Sequence, residues 1–222
     1  MGNLLAETLP LAIGAAISPL VLMGALALLG GQNAKARVAA YTVGFVITCA
    51  ALLALGLLLV VAQQRKAGTS PLESGTAEWI MGILLIAFAA LMVRPKRKDD
   101  GARAQKHHRQ YVKPDSPLYA FALFGGVMML VDFSSIVFLL AILHRIGSAG
   151  APIGPSIVVL AIALLCTSLP ALLPTAVALF GGPALSAKVT ALGQWTNRNG
   201  KYILAVLFFV FGLQDILKAL GH

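Results

Sequence analysis

The chain has 222 residues, of which 59% are hydrophobic and only 11% charged, with a net charge of +9. A soluble domain carries about 25% charged residues, so this composition excludes a water-soluble enzyme or binding module: no interior of this size could hide so much apolar surface. The positive charge sits in loops, where in a membrane protein it reports orientation, and no nucleic-acid partner is expected.

Crossing the hydrocarbon core takes roughly 20 apolar residues. Six segments meet that length within a few residues: 4–30, 36–62, 77–93, 118–143, 155–180 and 201–220. The first is not a cleavable signal, because residues 1–8 carry only the acidic Glu7 and the apolar run continues too far. Gly- and Pro-rich or charged stretches at 30–33, 63–75, 94–117, 147–155 and 181–183 separate the segments. The expected organisation is a first three-helix unit over 1–93, a basic cytoplasmic loop over 94–117 and a second three-helix unit over 118–222.

Loops alternate between the two membrane faces. One face collects 13 of the 17 Lys and Arg residues; the other holds Arg65, Lys66, Arg145 and Lys218. The positive-inside rule makes the first face cytoplasmic and places both termini outside. The 94–117 loop is expected to anchor this topology and touch anionic headgroups, with a gate or docking segment as the alternative. Its His107-His108 pair lacks Cys, Asp or Glu at ligand spacing, so neither a metal site nor a cofactor is expected.

The halves resemble each other. The third segment opens Trp79-Ile80-Met81-Gly82-Ile83-Leu84 and the sixth Tyr202-Ile203-Leu204-Ala205-Val206-Leu207, aligned without a gap. Each half runs from a helix with a polar interruption through a plain helix to this aromatic-led one. Three helices per half is an odd number, so the second half enters from the opposite side. The expected fold is an all-α integral membrane protein of six transmembrane helices in two inverted three-helix repeats, an architecture common in secondary transporters.

Polar residues within the apolar segments are the candidate site. Pro19 lacks an N–H and frees a carbonyl one turn back, with the Ser18 hydroxyl beside it. Asp132 lies near mid-span among apolar residues, with no Lys or Arg at its depth. An aspartate there costs roughly 2.5–3.5 kcal/mol on insertion scales and is functional by default; it suits carriage of a proton or a cationic group. The alternative is a protonated acid bonded to a neighbouring helix. Ser134 and Ser135 follow it. In the fifth segment Ser168 precedes Pro170 and Pro174, and two prolines four apart are expected to open the helix. Ser18, Asp132, Ser134, Ser135 and Ser168 are expected to face one cavity, with Pro19 and Pro170 shaping it. Gly14, Gly44, Gly125 and Gly126 read as close-packing positions. Glu7 and Asp215 are expected near the outer helix ends, reaching headgroups or water. Cys49 and Cys166 read as small apolar fillers.

The run Leu9-Pro10-Leu11-Ala12-Ile13-Gly14-Ala15-Ala16-Ile17-Ser18-Pro19, followed by Arg37, Ala40 and Gly44, resembles the opening of the actinobacterial GAP/Sap family, the glycolipid- and sulfolipid-addressing proteins of the lysine-exporter (LysE) superfamily. The resemblance implies LysE-like inverted halves, export, and residence in the bacterial cytoplasmic membrane. Asp132-Phe133 stands where that pattern has Asn-Pro, which exchanges an amide for an acid and removes an expected kink. Neither the first nor the fourth segment contains Cys, which argues against the electron-carrying relatives.

The leading expectation is therefore an exporter or flippase. It would move a cell-envelope lipid, glycolipid or small solute outward by alternating access, with proton coupling through Asp132. The alternative is an accessory membrane protein of a larger lipid-export or envelope-assembly complex; the expected partners are membrane lipids, the substrate, and either further copies of the chain or such a complex. No HExxH motif, acidic pair at depth, or Ser with a mid-membrane His or Lys points to an enzyme.

Overall fold

A computed structural model describes residues 2–29, 33–66, 83, 85–87, 89–90 and 116–220. The helices bounded within the described residues are α1 (Gly2–Ala15), α2 (Pro19–Ala27), α3 (Ala34–Lys66), α4 (Leu118–Val131), α5 (Phe133–Ser148), α6 (Ile153–Phe180) and α7 (Pro183–Leu220). Among the described residues there is no strand. Helices α3, α6 and α7 are each long and apolar enough to cross a membrane. The pairs α1–α2 and α4–α5 each qualify as one bent span, with bends of 44° and 65°, giving up to five. The expected third span, 77–93, lies mostly outside the described residues; those described within it are helical, and Leu85 and Ala89 belong to the core. Most of the basic loop 94–117, including His107-His108, also lies outside.

The outer surface explains the composition. Ile47, Leu58, Leu123, Phe133, Leu165 and Val206 are each more than 60% exposed. Soluble monomers rarely show so much contiguous apolar surface, whereas lipid solvates it at no cost. The chain is a multi-pass membrane protein.

Helices α3 and α4 make the closest contact, and glycine permits it. A Cβ on Gly44 would lie 1.8 Å from the Ala122 carbonyl oxygen, and one on Gly125 would lie 1.9 Å from that of Tyr41. Gly14 similarly sits under the Phe138 ring, 2.7 Å from where its Cβ would stand. Packing is the role these positions serve.

The bent spans lie side by side, α1 against α5 and α2 against α4. The first arm of each therefore meets the second arm of the other, which makes the two spans antiparallel. Helix α6 packs on α1, α2 and α3.

Helix α7 corrects the expected loop over 183–200. It has 38 residues, about 57 Å at 1.5 Å per residue, nearly twice the hydrocarbon thickness. Polar residues here suggested a loop, but Val189, Gly193, Thr196 and Gly200 fall on one buried stripe. Gly193 lies against Leu26, and Gly200 against Pro19, of α2. Tertiary packing of that stripe extends the helix, while Lys188, Trp195 and Arg198 point outward. Further along, Phe208 stacks on Phe138 of α5 with ring centroids 4.4 Å apart, so α7 meets α2 with its first half and α5 with its second.

Candidate functional site

The first break spans Ala16, Ile17 and Ser18. Ser18 is extended (φ −111°, ψ 101°) and caps α2 by accepting the Val21 N–H at 3.3 Å. Pro19 follows as the first residue of α2, a position where its missing N–H costs nothing to the new helix. To the helix behind it the cost is real: the Ala15 carbonyl, four residues earlier, loses its donor. That carbonyl is taken up instead by the Ser135 hydroxyl of α5, 3.3 Å away.

The second break is at Asp132. Its backbone (φ −78°, ψ 76°) is not helical, although its N–H still reaches Met128 and its carbonyl still accepts from Ile136. The resemblance implied that losing Pro would remove this kink. The kink is present and is the sharper of the two. Hydroxyl groups replace proline as its cause: Ser134 donates to Oδ1 at 2.6 Å and Ser135 to Oδ2 at 2.5 Å, holding the carboxyl over the first turn of α5. Asp132 is 4% exposed, and among the described residues no cation pairs with it.

The two breaks thus meet. Asp132, Ser134, Ser135 and the Ala15 carbonyl form one connected group, and Ser18 sits in the linker that begins beside that carbonyl. Tyr41, fully buried on α3, donates to the Val21 carbonyl at 3.1 Å and ties α3 to the arm beyond the first break.

Ser168 and Pro170 are placed differently. Helix α6 runs unbroken from Ile153 to Phe180 with Pro170 and Pro174 inside it, so the expected opening does not occur. Burial of α6 among its neighbours keeps the remaining backbone bonds in register although each proline deletes one. No hydrogen bond joins Ser168 to the Asp132 group among the described residues; its hydroxyl and that of Thr167 are buried without a partner.

Two arrangements escaped sequence reasoning. Arg145 on α5 pairs with Glu7 on α1 at 3.3 Å and with Asp215 on α7. Asp215 is 2% exposed, so it does not reach headgroups or water as expected; Arg145 holds it inside the bundle. Only a shared position at the same expected membrane face linked these three in the sequence. On the other arm, the Thr42 hydroxyl of α3 lies 2.6 Å from that of Thr175 on α6 and donates to the Ala171 carbonyl at 3.0 Å. Cys49 and Cys166 are both free thiols. Among the described residues no group of His, Cys, Asp or Glu could hold a metal ion. An open apolar groove of about 220 Å³ runs between α3 and α6, lined by Ala50, Leu53, Ile157, Leu160, Ala161 and Leu164.

The family model for Sap, the sulfolipid-1-addressing protein, matches residues 8–219. The chain belongs to this family. The match covers both breaks, the Asp132 group, Arg145 and Asp215; Glu7 lies one residue before it. No curated protein and no solved structure matches the chain. Family and apolar helices together make this a membrane protein tied to lipid handling.

Proposed function

We propose that this Sap-family protein is an exporter or flippase that carries a cell-envelope lipid or glycolipid outward, by alternating access of two inverted three-helix halves of LysE-like design. The observation that carries the reading is the junction of the two breaks. A buried acid and two hydroxyls meet a backbone carbonyl that Pro19 has deprived of its helical donor, where two antiparallel bent spans touch, the kind of place in which inverted-repeat transporters bind substrate and coupling ion. The apolar groove between α3 and α6 offers a seat for an acyl tail while the headgroup passes the junction.

Proton bookkeeping at the junction supplies the coupling. Ser135 has one hydroxyl proton but two acceptors, Asp132 Oδ2 and the Ala15 carbonyl. When Asp132 is protonated on Oδ2 it donates to Ser135 Oγ, and Ser135 in turn donates to Ala15; every group is satisfied and α1 is tied to α5. When Asp132 is ionised, Ser135 must donate to the carboxylate, and the Ala15 carbonyl loses its donor. Leaving such a group buried costs about 1–3 kcal/mol, enough to bias the first span toward release. A proton taken up at Asp132 would therefore close the junction, and its loss would loosen it.

The test is Asp132→Asn in proteoliposomes, following translocation of a labelled lipid with and without a pH gradient. Asn donates an N–H permanently and imitates the protonated state. We expect lipid binding to persist while translocation falls at least tenfold and no longer responds to pH. Full translocation with unchanged pH dependence would sink the coupling.

A further inference from the structure

Thr167 and Ser168 stand out against the other hydroxyls of this protein. Thr8, Thr48, Ser156, Thr175 and Thr190 all lie on helices, and each donates to the carbonyl four residues earlier at 2.7–3.0 Å. That back-bond is the ordinary resting place of a helical hydroxyl. Thr167 and Ser168, 0% and 2% exposed, make no hydrogen bond among the described residues. Buried polar groups in native proteins are nearly always paired, and an exception points to a role or to a missing group.

The backbone beside them is also short of partners. Pro170 has no N–H, so the Cys166 carbonyl lacks its helical donor; Pro174 does the same to the Pro170 carbonyl. Two hydroxyls and two donor-poor carbonyls are therefore gathered within five residues of a helix that contains no charged side chain. That helix packs on α3 and on both arms of the first bent span, α1 and α2.

We infer that Thr167, Ser168 and the carbonyls of Cys166 and Pro170 form a neutral polar notch that binds hydroxyl groups of the transported lipid's headgroup. This rests on the proposed function, whose substrate class it narrows. An alcohol both donates and accepts, as the notch requires. A sulfate or phosphate only accepts, and would face the two carbonyls with nothing to offer them. Both hydroxyls are buried in this conformation, so occupation requires a neighbouring helix to move off α6, the motion that alternating access entails.

The experiment uses the full chain in lipid nanodiscs, as wild type and as Thr167→Val/Ser168→Ala, two substitutions that keep volume and remove the hydroxyls. Thermal unfolding is measured without added lipid, with galactosyl diacylglycerol, and with diacylglycerol carrying the same tails and no sugar. The expected result is that the sugar lipid stabilises the wild type and not the variant, while the variant alone unfolds at the same temperature as the wild type or higher, having lost two unsatisfied groups. A variant that unfolds several degrees lower without lipid overturns the inference, because the hydroxyls would then be structural, bonded to fixed water or protein. So does sugar-lipid stabilisation that persists in the variant or is absent from the wild type. Translocation separates the two readings. A variant that moves glycolipid at the wild-type rate, while Asp132→Asn does not, removes the notch and leaves the transporter standing. A wild type that binds the sugar lipid at the notch but translocates nothing removes the transporter instead.

Discussion

Each buried carboxylate among the described residues is handled by a specific set of neighbours, and the two solutions differ in kind. Asp132 is held by hydroxyls, which can donate or accept and so adjust to either protonation state. Asp215 is held by a guanidinium, which can only donate and is always charged. The first arrangement suits a group that changes state and the second one that does not. We therefore expect the Arg145 cluster to act as a fixed clamp between α1, α5 and α7. Arg145→Met removes the cation that both carboxylates share and should lower stability by about 3–5 kcal/mol, the usual result of breaking a buried pair. Glu7→Gln should cost less than about 1 kcal/mol, because the Glu7 side chain is 40% exposed and a part-exposed ion pair contributes little. Denaturant unfolding in detergent compares the two; equal losses would show that the clamp does not depend on Asp215.

Among the elements, the bent spans owe their shapes to different chemistry. At α1–α2 proline breaks the helix and a serine caps the restart. At α4–α5 there is no proline, and a carboxyl turned back onto two serines holds a larger bend. The α3–α4 contact shows the opposite use of small residues, where the backbones approach until no Cβ fits. Gly125→Ala must push α4 off α3, since the new methyl would lie 1.9 Å from the Tyr41 carbonyl oxygen. Overpacking typically costs about 1–3 kcal/mol when side chains can yield, and here the obstacle is backbone. We expect little folded Gly125→Ala protein by size-exclusion chromatography. Gly154→Ala, where an added Cβ meets nothing within 4 Å, should behave as wild type.

For the whole molecule, the charge asymmetry of the loops sets the direction in which the helices thread. Thirteen of the 17 Lys and Arg residues fall on one expected face, so both termini should be outside. A reporter that works only outside the cytoplasm, fused after His222, should be active, whereas one that works only in the cytoplasm should be silent; the reverse pattern would overturn this threading. That orientation would put Glu7, Arg145 and Asp215 at the outer side of the bundle and the Lys188–Arg198 stretch of α7 toward the cytoplasm.

Membrane residence and the position of each described span were legible in the sequence, because a bilayer imposes a length and a polarity on every helix independently of its neighbours. The first break was legible too, since Pro19 deletes a donor wherever it is placed. The sequence also marked Asp132, Ser134 and Ser135 as exceptional, for polar groups at that depth have few uses. Which groups meet was not legible. That Ser135 takes the carbonyl freed by Pro19, that Arg145 gathers Glu7 and Asp215, and that Thr42 faces Thr175 depend on contacts between residues separated by 70 to 138 positions. The length of α7 was misjudged for the same reason: its polar half reads as a loop until α2 covers the buried stripe. Local chemistry decides where a helix can cross or break; only the packed bundle decides which unsatisfied group finds which partner.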